Sequence, residues 1–121
     1  MYLYVYPIFT QEVIRMGIKI ANEFISKLKI IADHYGYAEQ KDQTNEEMAE
    51  LTVALNKFKR YGKTQRKTRL KAIITELADV YIMINQLTYL LKCEDEVNKE
   101  IEYKVDRALR DIDKQKEKAG K

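Results

Sequence analysis

Four acidic residues in two short runs carry the chemistry that this sequence can offer. Glu47 and Glu50 stand in Glu46-Glu47-Met48-Ala49-Glu50, and Glu76 and Asp79 in Glu76-Leu77-Ala78-Asp79. Within each run the two acids are three positions apart, which on a helix puts both on one face. Between the runs the chain should fold back near Tyr61-Gly62-Lys63. Glu50 lies about ten residues before that bend and Glu76 about ten after it, so at ~1.5 Å rise per residue both sit roughly 15 Å from the turn and come level across an antiparallel hairpin. Two like charges about 4 Å apart repel by roughly 4 kcal/mol at an effective dielectric of 20. Facing carboxylates are therefore reasonable where cations sit among them, and hard to justify otherwise.

The elements that must position these acids read as helices. No alternating strand pattern with turn signals occurs after residue 10, so the fold class is all-α, an antiparallel bundle of about four helices. The first helix spans about Ile18 to His34 on the stripe Ile20, Phe24, Leu28 and Ile31, with Gly36 as its C-cap and His34 as a capping or surface residue. Tyr37 to Gln43 reads as a polar linker. The second helix runs from near Asp42 or Thr44 to Arg60, with Met48, Leu51, Leu55 and Phe58 as its core stripe and Glu47, Glu50 and Ala54 beside it. Thr44-Asn45-Glu46-Glu47 has the form of a capping box, a competing account of Glu47 that leaves Glu50, Glu76 and Asp79 unexplained. The third helix, Thr64 to about Lys92, carries the seam Ile73, Leu77, Val80, Ile84, Leu87 and Leu91, and Met83 on the acids' stripe reads as packing. Asp95 can cap a fourth helix with the stripe Val97, Ile101, Val105, Ala108 and Ile112. Short connections make these neighbours antiparallel.

Size and composition narrow the class further. A chain of 121 residues is one domain with a modest core, of the kind often completed by a second copy. Residues 1–15 differ in composition from the rest, and Met16 is the expected natural start; residues 1–17 read as an N-terminal extension, 18–113 as the helical domain and 114–121 as a charged, frayed tail. The single Cys93 gives no disulfide framework and fits a reducing, cytoplasmic setting. No apolar run reaches 18 residues, which argues against a membrane span. Eight basic residues and no acid lie between Lys57 and Lys71, yet a net charge of +3 does not by itself argue for nucleic acid, and a solvated tip is the commoner reason for such a run.

Glu46-Glu47-Met48-Ala49-Glu50-Leu51, then 25 residues between Glu50 and Glu76, then Glu76-Leu77-Ala78-Asp79-Val80, resembles the metal-binding signature of the MazG-like, all-α nucleoside triphosphate pyrophosphohydrolases. The likeness takes in Tyr35-Gly36, Gln40 and Lys104, and covers roughly Asn22 to Ile112. It implies that Glu47, Glu50, Glu76 and Asp79 bind magnesium, with manganese able to substitute. It also implies that a nucleoside triphosphate is cleaved between its α- and β-phosphates to a monophosphate and pyrophosphate. Metal ions held this way neutralise and orient the triphosphate and lower the pKa of a bound water. Glu46 would be a second-metal ligand or the catalytic general base, with a solvated glutamate as the alternative. Lys104 and Arg107 would meet the phosphates, although Asp106 stands where the family often has asparagine. Gln40 and Asn85 are candidates for contacting base or sugar, with ordinary polar surface as the alternative. The family builds its sites in homodimers or homotetramers, so a homo-oligomer is expected.

Two other readings compete. Phosphoribosyl-ATP pyrophosphohydrolase belongs to the same superfamily. From a different class comes a non-catalytic helical interaction module whose basic tip binds nucleic acid or an acidic partner.

Overall fold

The computed structural model describes residues 17–120 and is all-α: α1 is Asn22–Tyr61, α2 is Arg66–Leu90 and α3 is Glu94–Ala119. The proposed start at Met16 and the tyrosine-rich residues before it lie outside the described residues. Helix α1 is itself two helical segments, 22–35 and 37–61, joined across a kink at Gly36, and the polar stretch 37–43, expected as a linker, is helical. Gly36 ends the first segment, as expected of it, at φ 82° and ψ 171°, a region of backbone space that is essentially open only to glycine.

The break reverses the chain. Beyond it, the segment 37–61 runs antiparallel to α2, and Gln40 Nε2 donates to Gln86 Oε1 across the pair. Before it, the segment 22–35 lies back along the second half of α2. There the Tyr89 hydroxyl donates to Asp33 Oδ2 at 2.8 Å, and the Tyr81 hydroxyl donates to the Ile18 carbonyl at 3.4 Å. Without the turn at Gly36, residues 22–35 would project past the end of α2.

At the other end of the hairpin, Gly62 follows α1 directly and its N–H donates to the Phe58 carbonyl at 2.7 Å. A Cβ on Gly62 would collide with that same carbonyl oxygen, so the tight exit requires glycine. Helix α2 begins at Arg66, two residues later than the Thr64 start that the sequence suggested, and Cys93 rather than Asp95 occupies the N-cap position of α3. Helix α3 then continues through Ala119, past the expected fraying at Asp113.

The faces in contact match the apolar stripes in part: Ile73 is buried and Leu51, Phe58, Val80 and Leu87 are half-buried. The buried residues of α1 are Ala32, Gln40, Thr44 and Ala54, and those of α2 are Ile73, Met83 and Gln86. Small and polar side chains on α1 thus meet Ile73, Met83 and Gln86 of α2. Met48 and Leu55, assigned to the core stripe of α1, point outward, and so do Leu77, Ile84 and Leu91 of the α2 seam, at 44%, 46% and 54% exposure. With Leu70 (39%) these make a stripe of period seven along the outside of α2. Helix α3 meets α2 only near its own start and has no buried residue, so Ile101, Val105 and Ile112 face outward as well.

Candidate metal centre

The hairpin register brings the acids together. Gln40 with Gln86, and Glu50 with Glu76, are both symmetric about position 63 in the bend, so one antiparallel register accounts for both pairs. One carboxylate oxygen from each of Glu47, Glu50 and Glu76 lies within 4.8 Å of the others. Glu47 and Glu76 are half-buried because they share the inward face with Thr44, Ile73 and Met83, while Glu50 is exposed at the rim. Asp79, also half-buried, is close enough to Glu50 to act on it electrostatically, as is the exposed Glu46.

The capping-box account of Glu47 does not hold. Thr44 is inside the helix, where its hydroxyl donates to the Gln40 carbonyl at 2.6 Å, so it caps nothing. Glu47 instead accepts a 2.7 Å hydrogen bond from Gln43 Nε2 through Oε1. Its other oxygen, Oε2, and Oε2 of Glu76 are buried and have no hydrogen-bond partner. Buried carboxylate oxygens without donors carry a desolvation cost that some positive group should offset. Two such atoms beside a third carboxylate make an all-oxygen donor set of the kind that hard divalent cations accept.

Electrostatics agree with the crowding. The Glu50 carboxyl titrates above its ordinary 4.5, first because of the charge on Glu76, then through partial desolvation, hydrogen bonding to Glu76, and the charges of Glu46 and Asp79. Each of those named neighbours is acidic.

The remaining candidates are placed apart from the carboxylates. Gln40 is buried and its amide is engaged by Gln86, two helical turns from Glu47, so it builds the hairpin rather than offering itself to a ligand. Asn85 donates to the Tyr81 carbonyl at 2.8 Å and lies in the wall of a cleft of about 330 Å³, together with Ile25, Leu28, Val97 and Ile101. Lys104 pairs with Glu100 at 3.8 Å and the Arg107 guanidinium lies 5.7 Å from the centre of the Tyr103 ring, both on the projecting α3. Within one chain, neither cation reaches the acidic cluster. Sequence reasoning missed the Gln40–Gln86 bridge; the signal was a glutamine on the inward face of each helix at mirror positions about the bend.

Fold and site together define an all-α chain with a carboxylate cluster inside a helical hairpin. No protein-family model, curated protein or solved structure matches the chain. No helix among the described residues is long and apolar enough to cross a membrane.

Proposed function

We propose that the chain is a magnesium-dependent nucleotide pyrophosphohydrolase that cleaves the α–β phosphoanhydride of nucleoside triphosphates. The observation that carries this reading is the convergence of one carboxylate oxygen each from Glu47, Glu50 and Glu76 within 4.8 Å, on residues of which Glu47 and Glu76 each also bear a buried, unpartnered oxygen. Glu47, Glu50 and Glu76 would hold the ion, with Asp79 completing the set from the next turn. A bound divalent ion supplies charge neutralisation for the triphosphate and lowers the pKa of a coordinated water. Glu46, exposed beside the cluster, would serve as the general base or as a ligand to a second ion.

The reading extends to assembly. The outward stripe Leu70, Leu77, Ile84 and Leu91, the bare apolar face of α3, and Met48 and Leu55 on α1 are exposed in a single chain. Exposed apolar residues in continuous stripes mark contact surfaces. A homodimer or homotetramer that packs these stripes would complete a helical bundle. It would also supply Lys104 and Arg107 from a second copy, since neither reaches the carboxylates of its own chain. The lone cysteine fits a cytoplasmic setting.

The test is pyrophosphate release from a panel of canonical and non-canonical nucleoside triphosphates with magnesium, repeated with EDTA and with Glu50→Gln. The expected result is release that both treatments abolish. Release indifferent to both would refute the site, and no release from any nucleotide would leave the interaction-module reading in its place.

A further inference from the structure

The stretch from Leu51 to Thr75 contains no acidic residue, and Lys57, Lys59, Arg60, Lys63, Arg66, Lys67, Arg69 and Lys71 all fall within it. The hairpin gathers these eight cations at one end of the molecule. Among the described residues the only ion pairs are Lys41–Asp42 and Lys104–Glu100, so none of the eight is neutralised by a carboxylate. The nearest of these cations, Lys71 and Lys57, stand five and seven residues from Glu76 and Glu50, roughly 8–10 Å along the helices, and the bend lies farther still, so the tip and the cluster are adjoining regions of opposite sign.

Three of the cations are held in place. The Arg66 guanidinium lies 5.4 Å from the centre of the Phe58 ring, and those of Arg69 and Arg60 lie 5.1 and 5.9 Å from the centre of Tyr61. The Phe58–Arg66 and Tyr61–Arg69 contacts bridge the bend, and Gln65 Oε1 accepts from Arg69 Nε at 2.9 Å. Stacking on a ring uses the flat face of a guanidinium and leaves N–H edges free, the edges that meet phosphate oxygens in pairs. A solvated tip would need no such anchoring.

We infer that this hairpin tip binds the phosphate backbone of a nucleic acid strand, without reading its bases. A nucleic acid fits better than an acidic protein surface, because a protein interface needs an apolar or aromatic anchor at its centre. Here Phe58 is half-buried under Arg66, and Tyr61, exposed, carries the guanidiniums of Arg60 and Arg69, so neither ring stands as a bare apolar anchor. The inference is independent of the metal centre and stands whether or not the carboxylates support catalysis.

The experiment is fluorescence anisotropy with the full chain against dye-labelled oligo(dT) and a mixed-sequence duplex. With about half of the eight cations engaged, the slope of log K against log salt on a single strand is about −3, so raising salt from about 50 to about 200 mM weakens binding about 50-fold. Combining Arg60→Gln, Arg66→Gln and Arg69→Gln should weaken binding at least about tenfold and make the slope shallower by about 2. Should circular dichroism show that this variant has lost helix, Lys57→Gln with Lys63→Gln and Lys67→Gln, which touch no ring, must give the same direction of change. Glu50→Gln should bind as the parent does. Failure to bind either probe at the lower salt, or binding unchanged in the folded tip variants, overturns the inference. So does competition by polyglutamate as strong as by unlabelled oligonucleotide, which would assign the tip to acidic proteins.

Discussion

Replacing Glu76 by Gln removes the charge at the centre of the cluster while keeping its shape. Glu76 has carboxylate oxygens of Glu47 and Glu50 within 4.8 Å, and its own Oε2 is buried without a partner. For the Glu47–Glu76 pair at that separation, Coulomb repulsion is about 3.5 kcal/mol at an effective dielectric of 20 and about 0.9 kcal/mol in bulk water. Both residues are half-buried, so the screened value lies between these limits, and ~1 kcal/mol is a lower estimate. For a domain of this size each kcal/mol moves the melting temperature by roughly 4–8 °C. Metal-free Glu76→Gln should therefore melt at least about 4 °C above the metal-free parent. The glutamine amide adds to this by offering a donor to the bare Glu47 oxygen. Magnesium should reverse the order. A ligand at about 100 times its Kd stabilises the parent by about 2.7 kcal/mol, and the variant, lacking a ligand residue, should gain little. Differential scanning fluorimetry in EDTA and in excess magnesium reads both arms. A variant that melts at or below the parent in EDTA would refute the claim that these carboxylates are crowded at their neighbours' expense.

The other expectations are as follows. Glu50 holds its proton more tightly in the folded chain than in the unfolded one, so in EDTA the parent loses stability as pH rises through the raised pKa. Glu50→Gln should accordingly melt higher than the parent near neutral pH, with the advantage shrinking as pH falls and gone below pH 4.5; an advantage independent of pH contradicts the charge argument. Gly36→Ala forces a side chain into φ 82°, ψ 171° and should cost about 1–3 kcal/mol in chemical denaturation, whereas an unchanged midpoint would mean that the reversal at Gly36 does not hold the first segment. Leu77→Glu with Ile84→Glu places charges on the exposed stripe of α2, and should shift the chain to monomer by light scattering while leaving its helix content intact. A parent that is itself monomeric would sink the proposed assembly.

The convergence of Glu47, Glu50 and Glu76 was legible because it needs only helical rise, a bend at Gly62 and equal arms on either side. The rotation of each helix was not. Apolar periodicity identifies Leu77, Ile84, Met48 and Leu55 as residues that want cover, but it cannot say whether the cover comes from the same chain. In the structure the intramolecular interface took Ala32, Gln40, Thr44, Ala54, Ile73 and Met83, with Leu51, Phe58, Val80 and Leu87 half-buried, while Met48, Leu55, Leu77, Ile84 and Leu91 stayed outside. The stretch 37–43 misled for a related reason. Its polar character suggested a linker, yet Gln40 finds Gln86 across the interface, and the next-turn Thr44 returns a hydrogen bond to the Gln40 carbonyl. Gly36 was recognised as a helix terminator, but a reversal with helix on both sides depends on long-range contacts such as Tyr89 to Asp33 that no local pattern encodes. Lys104 and Arg107 sit on a helix whose placement within one chain leaves them remote from the acids, and spacing along the sequence carries no information about that.

Manganese titration followed by electron paramagnetic resonance addresses the carboxylate centre most directly, because the free ion's signal falls as ions bind. The account predicts saturable binding to the metal-stripped parent, competed by magnesium and lost in both Glu50→Gln and Glu76→Gln. A parent that leaves the free-manganese signal unchanged, or variants that bind as the parent does, would contradict it.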